Sequence, residues 1–290
     1  MLAGLVRTMR PHQWVKNLFV VAPLVFAKEL FDPSMSLRTV WAFALFCLAS
    51  STVYYLNDLA DVEADRTHPV KRHRPIASGA VPYTVARRVA TGMALLAVAG
   101  GLVLGVSFLA AIVSYLVLNL AYSAHLKRMP YVDVLSIAAG FELRVLGGAF
   151  AAGVTASVYL LVVTFLLATF LGFGKRMHEL QQAGERSVQR EVLRAYHPTT
   201  LHVLLYATAT ATFLAYALYT LDPVTRAFFG SNVLVATAPF TLFGVLRFLH
   251  LVRHRPEAES PTEEMLRDKP FLVNLGLWAA AVVLIIYLGA

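Results

Sequence analysis

Long apolar blocks alternate along this chain with short segments that carry nearly all of its charge. The blocks fall at about 17–31, 37–56, 84–104, 107–124, 132–152, 157–174, 200–220, 231–251 and 271–289. A bilayer core is crossed by roughly 20 consecutive apolar residues in an α-helix, and all but the first block have that length or nearly so. The pattern predicts an all-α fold: a polytopic membrane bundle of about nine transmembrane helices, built as a single integral membrane domain over residues 1–290. Several blocks contain Gly or Pro, which membrane helices tolerate where a neighbour re-satisfies the freed backbone groups.

Composition sharpens the class. With 58% hydrophobic and 14% charged residues and a mean hydropathy of +0.64, the chain is far too apolar for an ordinary soluble domain, so the bilayer is its solvent. The one cysteine, Cys47, lies inside an apolar block, so disulfides contribute nothing. The N-terminus is basic through Arg7, Arg10 and Lys16, but no A-x-A site follows the first block and no cleavable signal is expected.

Charge then orients the helices. Arg66, Lys71, Arg72, Arg74, Arg87 and Arg88 follow the 37–56 block, Lys127 and Arg128 the 107–124 block, Lys175 to Arg194 the 157–174 block, and Arg253, Arg255, Arg267 and Lys269 the 231–251 block. The intervening connections are nearly free of Lys and Arg, except for Lys28, Arg38 and Arg226. Lys and Arg accumulate in cytoplasmic loops. The expectation is an inner (plasma) membrane protein with its N-terminus, its basic loops and its site on the cytoplasmic side, and its C-terminus outside.

The densest chemistry closes the 37–56 block, where residues 57–65 read Asn57-Asp58-Leu59-Ala60-Asp61-Val62-Glu63-Ala64-Asp65. On a helix at about 100° per residue, Asn57, Asp58, Asp61 and Asp65 fall within an arc of roughly 100°, while Glu63 points to the far side. Carboxylates that close repel and partly protonate unless a cation holds them. Hard oxygen ligands of this kind suit Mg²⁺, which completes its shell with waters and phosphate oxygens. The expected feature is a Mg²⁺-diphosphate site at a membrane surface, with Asn57, Asp58, Asp61 and Asp65 as the metal ligands.

Cationic segments accompany it. His68 to Gly79 follows directly, and Lys71 and Arg74 there are candidate phosphate contacts; Arg72, Arg87 and Arg88 read as topology determinants or headgroup contacts. A second cluster, Tyr122 to Asp133, includes Lys127. Asp133 and Arg144 share a face of the 132–152 helix about three turns apart, with Glu142 opposite. An ionisable residue well inside a membrane helix faces a polar cavity or a partner, which makes Arg144 a candidate for the site or its support. Glu142 reads equally as a structural partner of a neighbouring helix, and Gly140, Gly147 and Gly148 fit close helix packing. The third cluster is Gly172 to Glu179. Lys175 and Glu179 could be only an i,i+4 pair, yet Lys175 and Arg176 belong to the same cytoplasmic end as the other clusters. Near the N-terminus, Trp14 suits an interfacial anchor, while Lys16 and Asn17 could reach a phosphate.

Asn57-Asp58-x-x-Asp61-x-x-x-Asp65, then Lys71, Arg74-Pro75 and Ser78-Gly79, then Tyr122-Ser123 with Lys127 and Asp133, resembles the UbiA superfamily of intramembrane prenyltransferases over essentially the whole chain. The resemblance implies a first acidic motif that binds Mg²⁺ and a diphosphate, assisted by a second Asp-x-x-x-Asp motif. Here Asp133 stands at the first position of that second motif, but Ile137 occupies the place of its partner, which argues against ordinary prenyl-diphosphate ionisation. Arg10-Pro11-His12-Gln13-Trp14-Val15-Lys16-Asn17, the Tyr122 to Lys127 pattern and Gly174-Lys175-Arg176 with Glu179 resemble one branch, the decaprenyl-phosphate phosphoribosyltransferases.

That branch implies phosphoribosyl pyrophosphate and a polyprenyl phosphate as substrates within membrane lipid, Mg²⁺ as cofactor, and no nucleic-acid partner. It makes Asp58, Asp61, Lys127 and Arg144 the candidate catalytic residues. Candidate substrate contacts are Lys16, Asn17, Lys71, Arg74, Tyr122, Lys127, Asp133, Arg144, Lys175, Arg176 and Glu179. Two other readings stay open: an aromatic prenyltransferase of the same fold using a prenyl diphosphate, and a non-catalytic lipid-binding or transport protein, which also owns intramembrane charge. Donor preference separates the first, and absence of Mg²⁺-dependent turnover would favour the second.

Overall fold

The computed structural model describes residues 1–183, 191–254 and 261–288; residues 184–190 of the third basic segment, Arg255 and the end of the last apolar block lie outside them. Eight helices among the described residues are long and apolar enough to cross a bilayer. They are α1 (Pro33–Ala60), α2 (Tyr83–Leu104), α3 (Val106–Ala124), α4 (Val132–Ala152), α5 (Val158–Ala183), α6 (Pro198–Leu221), α7 (Ala238–His254) and α8 (Lys269–Leu288), with a 3-10 turn, Val233–Thr237, leading into α7. No strand occurs among the described residues.

The expected ninth helix, at 17–31, is not a spanning helix. That stretch is a 3-10 segment, Pro11–Val20, followed by the five-residue helix Ala22–Phe26. Pro23 has no amide to donate, and Gln13 and Asn17 are buried polar residues that must find partners inside the protein. Irregular backbone at membrane depth is tolerated where protein covers it. Gly148 of α4 provides part of that cover: a Cβ there would lie 1.9 Å from the Val20 carbonyl oxygen, so only glycine admits this approach.

α1 begins where Asp32 caps it. The Asp32 carboxylate accepts from the Met35 amide at 2.8 Å, with Pro33 in the first turn, an arrangement pre-organised for a helix start. This cap also holds the Asp32 carboxyl below its ordinary value, the Met35 bond being the main cause. The helix has 28 residues, roughly 42 Å at ~1.5 Å per residue, against a hydrocarbon core of about 30 Å. The helix is therefore longer than the hydrocarbon core, and Asn57 and Asp58 lie in its last turn.

The chain forms two compact units, Met1–His125 with Gly140–Ala156, and Leu126–Ala139 with Ser157–Ala290, so that α4 is divided between them. In the first, α1 packs along α2 and α3 around Phe46, Phe108, Ile112 and Tyr115. A second cluster there, Tyr55, Leu59, Ile76, Val81 and Met93, pins the basic loop after the acidic run against the end of α1. In the second unit α5 packs along α6, and Phe170, Phe173, Met177, Leu201, Leu205 and Phe248 fill its core.

Arg38, one of the cations that departs from the charge bias, has a structural explanation. Its Nε donates to the Ala151 carbonyl at 2.7 Å and its Nη2 to the Leu104 carbonyl at 3.3 Å. A cation at two helix C-termini satisfies carbonyls that have no partner within their own helices and complements both helix dipoles.

Candidate active site

In the first unit the acidic run is not one unbroken helix, as its spacing predicts. The backbone leaves helical geometry at Asp61 (φ −94°, ψ 6°), and the short helix Val62–Thr67 follows. The helical ladder nonetheless continues across the break, with the Asp61 amide on the Asn57 carbonyl at 2.9 Å and the Asp65 amide on the Asp61 carbonyl at 2.8 Å. The phase of the side chains survives. Asp58 and Asp65, both buried, converge on a single nitrogen, Arg74 Nη1, at 3.1 and 2.7 Å. Arg10 Nη2 adds a second contact to Asp58 at 2.8 Å, with its guanidinium 4.8 Å above the Tyr54 ring. Asp61 is partly exposed and takes part in none of these ion pairs. Ser123 Oγ donates to Asn57 Oδ1 at 2.5 Å. Glu63 does point away, pairing with Arg66 at 2.8 Å on the exposed side. Lys71 is exposed, and Lys16 and Tyr122 are partly buried.

Arg144 lies deeper in the same unit and is 7% exposed. Its Nε donates to Asn17 Oδ1, its Nη1 to the Gly140 carbonyl and its Nη2 to the Tyr115 hydroxyl, each at 2.8 Å. Tyr115 and Phe141 present ring faces to the guanidinium at 4.6 and 5.2 Å. Asn17 continues the network to Ser50 Oγ at 3.2 Å and Cys47 Sγ at 3.3 Å. These oxygens are neutral, so the charge is held by dipoles and aromatic quadrupoles. Asn17 and Arg144, candidates drawn from separate segments, are thus direct partners. Glu142 leaves its buried Oε1 without a hydrogen-bond partner among the described residues.

The second unit holds its own polar cluster. Asp133 and Arg176 are both fully buried and meet at 2.6 Å through Nε; Arg176 Nη1 also contacts Glu179. The Tyr196 hydroxyl donates to Asp133 and accepts from the Tyr131 amide, the latter at 2.8 Å. Burial, and then the Asp133 carboxylate, push the Tyr196 phenol well above its usual range, so it stays protonated and remains a donor. Lys127 and Lys175 are partly buried.

A model of the UbiA prenyltransferase family matches residues 18–267. The chain belongs to that family. It is 35% identical to the decaprenyl-phosphate phosphoribosyltransferase of Corynebacterium glutamicum, over 98% of this chain and 87% of that one. It is 34% identical to the enzyme of the same name from Mycobacterium tuberculosis, over 97% of this chain and 94% of that one. Among solved structures, a UbiA homolog from Archaeoglobus fulgidus bound to DMAPP and Mg²⁺ superposes with a TM-score of 0.73, at 17% identity, over 98% of this chain and 99% of that one. The last comparison speaks to the fold.

The donor chemistry of this UbiA-family site fits a hard divalent cation. Two carboxylates already share one positive nitrogen, and a third, Asp61, lies one turn from Asp58 and Asp65 along the continued ladder. Asn57, Asp58, Asp61 and Asp65 are the residues that could hold Mg²⁺; as placed, Arg10 and Arg74 occupy Asp58 and Asp65, and no three acidic, His or Cys side chains among the described residues are grouped to hold a metal ion. Tyr115 and Tyr196 are site-forming residues that the sequence does not single out, and Arg10 enters the sequence reading only as part of the basic N-terminus and the Arg10-to-Asn17 segment, with no role of its own. In the structure Arg10 precedes Pro11 in a left-handed conformation (φ 53°), a strained geometry of the kind that collects at functional sites.

Proposed function

We propose that this UbiA-family protein transfers the 5-phosphoribosyl group of phosphoribosyl pyrophosphate to a polyprenyl phosphate, releasing pyrophosphate in a Mg²⁺-dependent reaction. The product would serve as a precursor of cell-envelope polysaccharide. The observation that carries this reading is Asp133, which has Ile137 where a second acid would stand and is engaged by Arg176 and Tyr196. That leaves one acidic motif for one donor diphosphate. Identity to two decaprenyl-phosphate phosphoribosyltransferases over nearly the full chain supports it.

In this mechanism Asn57, Asp58, Asp61 and Asp65 would hold the metal, and Arg10, Lys71 and Arg74 would bind the donor pyrophosphate. Bound Mg²⁺ supplies electrostatic stabilisation of the leaving pyrophosphate. Cleavage of the bond from the anomeric carbon to pyrophosphate leaves oxocarbenium character on the sugar. An oxygen of the polyprenyl phosphate forms the new bond from the opposite face, which inverts the centre. That phosphate is anionic near neutral pH, so no general base is required. Lys16, Asn17, Tyr122, Lys127 and Arg144 orient phosphates and acceptor. Lys175 contributes a donor phosphate contact, while Asp133, Arg176 and Glu179 compensate one another's charge within the second unit.

We further propose that the whole chain acts as one membrane domain, a reading supported by a family match that runs through both units. The distribution of Lys and Arg supports a cytoplasmic N-terminus and site and an external C-terminus.

The deciding experiment is mass spectrometry of lipids after membranes containing the protein are incubated with labelled phosphoribosyl pyrophosphate and Mg²⁺. A labelled phosphoribosyl lipid is expected, lost on chelation and restored by added Mg²⁺. Consumption of a prenyl diphosphate with an aromatic acceptor, and indifference to phosphoribosyl pyrophosphate, would overturn the branch assignment. Within the assay, Lys175→Ala is expected to raise the KM for the sugar donor, because a lost ground-state phosphate contact weakens binding before chemistry. Ile137→Asp is expected to bring no gain in rate, since it adds negative charge without a metal to hold; a faster Ile137→Asp enzyme would point to a prenyl-diphosphate donor.

A further inference from the structure

Arg226 is the second cation that departs from the charge bias, and a single long contact to the end of α6 engages only its Nε. It lies on the short helix Pro223–Phe229, between α6 and the 3-10 turn that leads into α7, and so at the end of two membrane spans. The Asp222 carboxylate is occupied by the amide and hydroxyl of Thr225, at 2.8 and 2.9 Å. Gly230, in the left-handed region at φ 67°, lets its own amide and that of Ser231 return to the carbonyls of Ala227 and Arg226. The helix ends are thereby satisfied without the Arg226 side chain. Arg226 makes one long contact, Nε to the Thr220 carbonyl at 3.4 Å, and no carboxylate pairs with it among the described residues.

Beside it opens a cleft of about 420 Å³ lined by Pro223, Arg226, Ala227, Gly230, Ser231 and Asn232, within the roughly 300–1,000 Å³ typical of small-molecule sites. The lining contains one cation, no anion, and donors to spare. Ser231 is buried and its Oγ accepts from the Val233 amide at 3.2 Å, which leaves its O–H to donate. Asn232 is exposed and offers its amide. Large apolar side chains stand out around the same segment: Val224 is 76%, Phe228 55% and Val233 58% exposed. At the end of two candidate spans, exposed apolar side chains of this kind suit contact with acyl chains.

We propose that this cleft binds the headgroup of an anionic phospholipid. Arg226 pairs with the phosphate, Ser231 and Asn232 donate to its oxygens, and the acyl chains cover Val224, Phe228 and Val233. A guanidinium with adjacent donors is the chemistry that recognises a phosphate. The apolar surround selects a lipid over a soluble phosphate, and a lining without a carboxylate gives the cation of a zwitterionic headgroup nothing to pair with.

The test is native mass spectrometry of the full-length protein titrated with phosphatidylglycerol, with phosphatidylcholine, and with inorganic phosphate. One phosphatidylglycerol is expected to be retained in preference to phosphatidylcholine. Arg226→Gln and Asn232→Asp are each expected to weaken that retention about tenfold, the scale of one charge-assisted contact. Asn232→Asp places its charge on an exposed position that bonds nothing in α6, so it decides the matter even if Arg226→Gln disturbs the fold. Wild-type retention of phosphatidylglycerol in Asn232→Asp, equal retention of phosphatidylcholine, or inorganic phosphate binding as tightly as the lipid would each overturn the assignment.

Discussion

Asp61→Asn should reduce formation of the labelled phosphoribosyl lipid by at least about 100-fold, the scale of losing one element of transition-state charge stabilisation, while leaving thermal unfolding in detergent unchanged. The expectation follows from where Asp61 sits. Asp58 and Asp65 are locked to Arg74, and Asp58 also to Arg10, whereas Asp61 is partly exposed and outside those pairs. Removing its charge costs the fold no ion pair and costs the site a metal ligand. Asp58→Ala should also abolish turnover, but with a lower unfolding temperature, because it strips a buried carboxylate from two guanidinium groups. Near-normal rates in both variants at limiting Mg²⁺ would remove this cluster from the chemistry.

Arg176→Ala should lower stability by about 3–5 kcal/mol, the usual result of breaking a buried ion pair from one side. The variant leaves Asp133 and Glu179 facing each other's charge without the guanidinium both now contact. Tyr196 would still donate to Asp133, but one neutral hydrogen bond does not replace a guanidinium. Thermal unfolding of the purified variant measures this, with Lys175→Ala as the neighbour expected to alter the donor KM. If Arg176→Ala keeps the wild-type unfolding temperature and only raises the donor KM, then Arg176 is a substrate contact and the buried pair contributes little to the fold.

Much of the architecture is legible because hydropathy is local. Eight apolar blocks are helices long and apolar enough to span a bilayer, while the Asp32-Pro33 cap that starts α1 before the 37–56 block falls outside the apolar pattern. The 17–31 block misleads because average hydropathy does not register Pro23 or the need of Asn17 for interior partners. The acidic run is legible as a cluster since its spacing is helical and the ladder survives the break at Asp61. What pairs with that cluster is not legible. Arg10 reaches Asp58 across 48 residues, Tyr115 reaches Arg144 across 29, and Tyr196 reaches Asp133 across 63. Such contacts are set by how helices pack, and nothing in the neighbouring sequence announces them. Arg144 shows the middle case: its cost in a bilayer flags it, while the tyrosine and asparagine that hold it emerge only from the packing.

The placement of charge along α4 bears on how the protein is made. An Arg at the centre of a membrane helix costs about 2.5–3.5 kcal/mol on insertion scales, and α4 carries Asp133, Glu142 and Arg144. Arg144 is received by Asn17 and Tyr115, which lie earlier in the chain and leave the ribosome first. Asp133 is received by Arg176 and Tyr196, which are synthesised later. The translocon therefore meets a helix whose arginine has partners already made, and whose leading carboxylate has none until α5 and the segment after it have been synthesised.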